Sequence, residues 1–336
     1  MSHTPTLSIA VLAGGYSGES VISLKSADTI MENIDRSIFS PLLVKIERRN
    51  WWVESDGDSY DIDKKDFTWI DQSGKKNTFD SIFIMVHGTP GEDGIIQKYF
   101  ENLKIPFTTG SSESVKGTFN KFLTTKALRN DGYTVADSVE VLNSEILSKD
   151  DYARIGGKVR FPCFVKPNYG GSSLGISRID RPDDLASAID FAFKTECFSV
   201  LVESFLDGKE YSMGIVPNEN HSPLAMPITE IISENLFFDF EAKYKGASRE
   251  ITPAHISTSV KSQMQSIGIE IYSLLKCRGM VRIDYILVEG DQIAVLEINS
   301  VPGFSKMSIL PQQLSEAGIS IQEMITRVIM STKTSS

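Results

Sequence analysis

Residues 280–299, MVRIDYILVEGDQIAVLEIN, admit few folds. Val281, Ile283, Tyr285 and Leu287 alternate with Arg282 and Asp284, the period of a strand with one buried face. Gly290-Asp291 reads as a two-residue turn and 293–299 as the returning strand, so the segment is a β-hairpin. A turn on those two residues sets Asp284 opposite Glu297 and Arg282 opposite Asn299, with all four side chains on one face. Two carboxylates directly across a ladder stand about 5 Å apart at Cβ and repel unless a cation lies between them. The amide oxygen of Asn299 adds a third hard ligand. Oxygen-only ligation by few protein groups suits Mg²⁺ bound together with nucleotide phosphates, which makes Asp284, Glu297 and Asn299 candidate metal ligands. Arg282 alone could neutralise the pair on an exposed face, but the flanking residues are too apolar for a solvated edge.

A second stretch, FVKPNYGGSSLG at 164–175, places Lys166 at the end of an apolar run and follows it with two glycines and two serines. Most lysines at a strand end lie along the surface with the ammonium in water. Glycines, however, let backbone N–H groups approach phosphate oxygens closely, and serine hydroxyls add donors. In a Walker A loop the glycines precede the lysine and a helix follows, whereas here strand leads to loop and back to strand. The pattern is that of a Gly-rich flap between two antiparallel strands, covering nucleotide phosphates.

Strand, glycine-rich loop and helix occur twice near the start. Ser8-Ile9-Ala10-Val11-Leu12 runs into Gly14-Gly15 and a helical pattern at Val21, Leu24, Ala27, Ile30 and Ile34; 81–86 runs into HGTPGEDG and a helix through Tyr99 and Phe100. Such repeats predict a parallel α/β unit whose two loops share the rim beyond the carboxyl ends of the strands. Residues 111–130 predict one serine-capped helix ending at Asn130-Asp131-Gly132. Short β-rich runs at 163–166, 174–179 and 200–205, around a helix at 183–193, predict a second, mixed unit. From 229 to 254 no period is sustained, although Glu, Lys and aromatic residues abound, and a long lid or binding loop is expected there. The expected division is 1–110, 111–206 and 207–336, consistent with a 336-residue chain too long for one core.

A formal charge of −10 argues against a nucleic-acid surface, which needs basic residues to neutralise phosphates. No apolar run approaches the roughly 20 residues of a membrane span. Three cysteines without metal-like spacing point to reduced thiols and a cytoplasmic location. Gly14-Gly15 and Gly18 do not make the dinucleotide fingerprint, which disfavours a dehydrogenase.

Four motifs in order, LAGGYSGESVIS, HGTPGEDG, FVKPNYGGSSLG and LEINSVPGFS, give the chain a resemblance to the D-alanine–D-alanine ligase family of the ATP-grasp superfamily, from Ile9 to about Ile319. The resemblance implies an α/β (α+β) ATP-grasp fold, with an N-terminal parallel α/β domain followed by two mixed subdomains that sandwich ATP. It implies that Lys121 and Lys166 contact the phosphates, that Glu203, Phe205 and Leu206 form the adenine wall and edge, and that Glu210 binds the ribose. Lys121 has the weaker local case, because Lys116 and Lys126 sit on the same expected helix. Two Mg²⁺ ions, replaceable by Mn²⁺, would bind Asp284, Glu297 and Asn299. Arg282 and the N–H of Gly303 would stabilise the oxyanion, and Lys243 of the EAKY motif would reach the phosphate. Glu19 would bind the ammonium of the first D-alanine, assisted by His87. Ser308 and Ile309 would form the second subsite, and Ser172 and Tyr244 would link with Glu19 to close the loop over the site. Taken singly, Glu19 reads equally as an acid favoured by a helix dipole, and Tyr244 as a packed loop aromatic.

The implied reaction turns one D-alanine into an acyl phosphate with ATP and lets the amine of a second attack it, for peptidoglycan precursor synthesis. A homodimer is implied as well. Ser20 and Val21 stand where charged residues are common, Phe238 where tyrosine is frequent, and Ile309 where leucine is usual. The rival readings are a D-alanine–D-lactate or D-alanine–D-serine ligase and a non-catalytic nucleotide sensor; the ester-forming ligases lack the tyrosine of EAKY, so Tyr244 argues against them, and a sensor has no need of Arg282 or Ser308.

Overall fold

The structure is a computed structural model that describes residues 6–170, 175–195, 197–233 and 248–335. In the first unit β1 (Leu7–Gly14) lies between β2 (Phe39–Ile46) and β7 (Ser81–Ile84), parallel to both. Its short apolar run is buried on both faces, Ile9 and Val11 against one core and Ala10 and Leu12 against another, as a central parallel strand requires. The expectation of a purely parallel unit is corrected at its edge. Strands β3 (Trp51–Ser55) and β4 (Asp58–Asp61) add antiparallel pairs, and β5 (Trp69–Ile70) with β6 (Lys76–Asn77) makes a separate small hairpin. Their few residues each were too short to show a period. Helix α1 (Ser20–Asn33) follows β1, and α2 (Ile95–Leu103) follows the loop after β7. The two loops do share one rim, where Tyr16 N–H donates to the Thr89 carbonyl at 2.8 Å.

The single helix expected at 111–130 is two, α3 (Ser112–Phe119) and α4 (Lys121–Asn130). Asn120 breaks it: its backbone is extended, and its side chain accepts from Leu123 N–H to cap the second helix. Ser111 caps the first as the sequence predicts. The second unit is a four-stranded sheet in the order β10-β9-β11-β8, from β8 (Ser138–Leu142), β9 (Cys163–Pro167), β10 (Ser177–Ile179) and β11 (Ser199–Ser204). Helices α5 (Lys149–Val159) and α6 (Leu185–Phe193) belong to the same unit. Strands β9 and β10 are antiparallel, so the glycine-rich stretch does connect two antiparallel strands.

The third sheet runs β15-β14-β12-β16-β17, with β13 also on β12: β12 (Gly208–Pro217), β13 (Pro223–Ala225), β14 (Thr229–Ser233), β15 (Ser248–Ile251), β16 (Val281–Val288) and β17 (Gln292–Asn299). The expected loop at 229–254 is thereby corrected at both ends, which pair as β14 and β15. Helix α7 (Thr258–Leu274) contacts this sheet, and α8 (Ile309–Glu316) and α9 (Ile321–Ser331) close the chain. Leu310, Leu314, Met324 and Val328 of the last two helices share a core with Ile9 and Val11 of β1, so the chain's end packs on its beginning. Among the described residues no helix is long and apolar enough to cross a membrane.

Candidate active site

The hairpin places its charges by two departures from the simplest reading. The turn is three residues, Glu289–Asp291, rather than two, and a bulge between Asp284 and Tyr285 on the pairing with β17 restores the register. Arg282 therefore does face Asn299, and Asp284 faces Glu297. The four side chains converge. Arg282 Nε donates to Asp284 Oδ1 at 2.9 Å and Nη2 to Oδ2 at 2.8 Å, while Nη2 lies 3.7 Å from Glu297 Oε1. Asn299 Nδ2 reaches Asp284 Oδ2 at 3.3 Å and Glu297 Oε1 at 3.4 Å. Asp284 is only 4% exposed, which removes the reading of a solvated face. Burial works against the charge on Arg282, but Asp284, Glu297 and Glu210 more than offset it and raise its pKa.

A magnesium-type ion fits this donor set, since the oxygens of two facing carboxylates already share one cation and stay on the cleft side of the sheet. The amide of Asn299 presents nitrogen to both acids, so bringing its oxygen into a ligand set needs a half-turn of the amide. Among the described residues no group of three or more His, Cys, Asp and Glu could hold a metal.

Lys166, on β9, is buried and pairs with Glu203 of the adjacent β11 at 2.8 Å. Burial lowers its pKa, but the charge and hydrogen bond of Glu203, with Glu297 and Glu210 farther off, raise it on balance. Glu203 is thus the partner of Lys166 as well as part of the expected adenine edge. The Phe205 ring lies 5.9 Å from Phe164, tilted by 59°, and carries the Arg178 guanidinium 4.8 Å above it. Lys121 stands first in α4 because Asn120 breaks the helix, and its ammonium donates to the Gly170 carbonyl at 2.5 Å, at the base of the flap. Asn168 ties the two segments: its side-chain oxygen accepts from Phe122 N–H and its main-chain oxygen from Lys121 N–H.

Glu19 is the N-cap residue of α1 without a side-chain cap bond. Its carboxylate lies against Gly88, whose φ of +65° is in the left-handed region that favours glycine in the loop after β7. His87 is buried, its Nδ1 2.9 Å from the Val301 carbonyl and its Nε2 3.0 Å from Ser26 Oγ. Ser308 caps α8 by position and bonds Ser305 Oγ at 2.9 Å, with Gly303 close by and Ile309 buried behind it.

One cleft of about 1740 Å³ brings these residues together, lined by Glu19, His87, Lys121, Lys166, Glu203, Phe205, Leu206, Glu210, Arg282, Asp284, Glu297, Asn299, Gly303, Ser308 and Ile309. Ser172, Phe238, Lys243 and Tyr244 lie outside the described residues. Three acids or hydroxyls escaped sequence reasoning. Glu92, in the HGTPGEDG motif, accepts from Gly88 N–H at 2.7 Å; burial and the neighbouring Glu19 push its carboxyl up to about 8. Ser212 donates to Asp284 Oδ1 at 2.6 Å, and Glu250 of β15 lines the cleft with Gln312 donating to it. The motif marks Glu92 but nothing local marks the other two, which depend on strand neighbours distant in sequence.

The family model described as D-ala D-ala ligase N-terminus matches residues 8–111, and that described as D-ala D-ala ligase C-terminus matches 127–330. The chain is 38% identical over 328 residues to a D-alanine–D-alanine ligase of Phocaeicola vulgatus, covering 96% of this chain and 98% of that protein. It is 40% identical over 325 residues to one from Azobacteroides pseudotrichonymphae, covering 96% and 99%. Among solved structures, the VanG D-Ala:D-Ser ligase of Enterococcus faecalis superposes with a TM-score of 0.85 at 25% identity, over 98% of this chain and 100% of that one. A D-alanine–D-alanine ligase from Bacillus anthracis complexed with ATP gives 0.76 at 25% identity, over 98% of both chains.

Proposed function

The chain belongs to the D-alanine–D-alanine ligase family and has its ATP-grasp fold, and on that premise we propose that it joins two D-alanines, using ATP, to D-alanyl-D-alanine for peptidoglycan precursor synthesis. In the first step a carboxylate oxygen of D-alanine bonds to the γ-phosphorus and ADP leaves. In the second the amine of another D-alanine forms the C–N bond, the acyl C–O bond breaks and phosphate departs with the excess proton released. Both steps concentrate negative charge, so preorganised cations and donors supply most of the acceleration. The observation that carries the reading is the convergence of Arg282, Asp284, Glu297 and Asn299 in the same cleft as Lys121, Lys166 and Glu19.

Each residue has a place in this account. Lys121 and Lys166 orient the phosphates, Phe205 and Leu206 wall the adenine with Glu203 at its edge, and Glu210 takes the ribose. Asp284, Glu297 and Asn299 would hold two Mg²⁺ ions, or Mn²⁺ in their place. Bound there, the metal neutralises phosphate charge. Arg282 and the Gly303 N–H receive the developing oxyanion. Glu19 takes the first ammonium, His87 belongs to the wall of that subsite, and Ser308 with Ile309 receives the second D-alanine. Lys243 at the phosphate, and Ser172 and Tyr244 joined with Glu19 to exclude water from the acyl phosphate, remain roles expected of residues outside those described. A homodimer in the cytoplasm completes the proposal. Offering D-alanine together with equal D-lactate or D-serine at neutral pH, with mass detection, tests the acceptor: dipeptide of D-alanine alone is expected, and dominant depsipeptide or D-alanyl-D-serine contradicts it.

A further inference from the structure

The segment 301–304 follows the metal-binding strand and carries Gly303, yet it is suspended from the other end of the chain. Val301 O lies 2.9 Å from His87 Nδ1, and Phe304 N–H donates to Ser26 Oγ at 3.0 Å, across 214 and 278 residues of sequence. Ser26 Oγ and His87 Nε2 are 3.0 Å apart, and Ser26 is wholly buried.

Hydrogen-bond directions follow from chemistry. A carbonyl only accepts, so His87 Nδ1 carries a proton. Burial, with Arg282 adding its charge, lowers the His87 pKa to about 4, so at neutral pH the ring is uncharged and Nε2 is an acceptor. The Ser26 hydroxyl therefore donates to Nε2 and accepts from Phe304 N–H. Both nitrogens of His87 are then committed to the protein. Between the two attachments stand Pro302, which has no N–H, and Gly303, which carries the only main-chain donor of that interval. Helix α1 holds both Ser26 and, at its start, Glu19. The first amino-acid subsite and the segment bearing the oxyanion donor thus rest on one helix.

We propose that Ser26 is a positioning residue for the ligation, acting with His87 to hold the 301–304 segment so that the Gly303 N–H meets the tetrahedral oxygen. The inference rests on the ligase reading and on Gly303 as oxyanion donor. His87, on this account, acts through the segment in addition to lining the D-alanine subsite. A donor displaced by a fraction of an ångström loses transition-state stabilisation while ground-state binding of ATP, on the far side of the cleft, is untouched.

The test uses the full chain with Ser26→Ala and Ser26→Thr, assayed for kcat, for KM of ATP and for affinity towards an unreactive phosphinate analogue of the tetrahedral adduct. Ser26→Ala is expected to lower kcat by about 10- to 100-fold and to weaken the analogue by a similar factor, with KM for ATP unchanged and Ser26→Thr recovering most of both. Wild-type kcat and analogue affinity in Ser26→Ala, with only a lower melting temperature, would overturn the proposal, and so would equal losses in ATP and analogue binding. Should the serine variants fail to fold, His87→Asn replaces them. Its amide can still donate to Val301 O but leaves Ser26 without its acceptor, and the same split between kcat and ATP binding is expected, with its absence counting against the proposal. Lack of D-alanine-dependent turnover in the unaltered protein would instead remove the ligase reading, and this inference with it.

Discussion

Lys166 and Glu203 form a buried ion pair at 2.8 Å, so the role proposed for Lys166 at the phosphates has to be separated from its part in folding. Removing one partner of a buried ion pair leaves an uncompensated charge, a cost of about 3–5 kcal/mol. Lys166→Met is therefore expected to lower the free energy of unfolding by that amount, and adding Glu203→Gln should recover most of it without recovering ATP affinity. Urea unfolding and ATP titration of the two variants check this; recovery of ATP binding in the double variant would show that Lys166 does not reach the phosphates. Glu92 carries a pH prediction. Its pKa is raised from 4.5 to about 8, so the folded chain holds a proton there that the unfolded chain has lost. Its contribution to stability is complete below pH 4.5 and is lost as pH rises through about 8. Glu92→Gln should flatten the decline in unfolding free energy over that window, and an unchanged slope would contradict the assignment. His87 runs the other way: lowered from 6.5 to about 4, its contribution holds above 6.5 and is lost as pH falls through about 4. The lysine, the facing acids and the glycine loops were legible in sequence because local spacing carries them. Ser26, Ser212 and Glu250 were not, since their roles depend on partners that only the tertiary structure brings near.

At the scale of elements, the hairpin is instructive. A turn one residue longer than expected and a bulge in the returning strand compensate, so the pairing of Asp284 with Glu297 survives two local errors. Alternation reveals which face a residue occupies, but a bulge leaves no mark on that pattern until the partner strand is known. The break at Asn120 was equally hidden, because the apolar spacing of α3 and α4 passes through it. A third device fills a gap in the sheet. Where β14 leaves β12, the buried side chain of Gln313 on α8 accepts from Gly214 N–H at 2.8 Å and donates to Ser212 O at 2.9 Å and Thr229 Oγ1 at 3.0 Å. It acts as a surrogate strand residue that ties α8 to the sheet carrying Arg282 and Asp284. Gly214 allows the approach, since a Cβ there would come 2.2 Å from Leu310 Cδ1. Gln313→Met keeps the volume but leaves two buried main-chain groups without partners, so a loss of about 2–4 kcal/mol is expected in chemical denaturation. A loss below about 0.5 kcal/mol would show that this gap is bridged in some other way.

For the whole molecule, composition and motif order were enough to anticipate the mixed α/β, ATP-grasp fold. They did not show how the chain's ends combine. Met324 and Val328 complete the core around Ile9, Val11 and Phe83, so the first unit is finished by the last helices. Met324→Ala is expected to cost about 2–5 kcal/mol while calorimetry still shows the first and third units melting together, and a separate early transition of the first unit would contradict that shared core. The apolar pattern of α9 reveals a buried face but not its partner, and for that reason the closure was illegible. Closure also holds α1 beside the segment that follows the hairpin, where Phe304 N–H donates to Ser26 Oγ at 3.0 Å, an arrangement the proposed two-step ligation in one cleft would need. The most direct measurement is ADP release by the purified chain with ATP, Mg²⁺ and D-alanine, against L-alanine controls, with mass detection of the product. One ADP for each D-alanyl-D-alanine formed is the predicted result, and ATP binding without any D-alanine-dependent turnover would contradict the account.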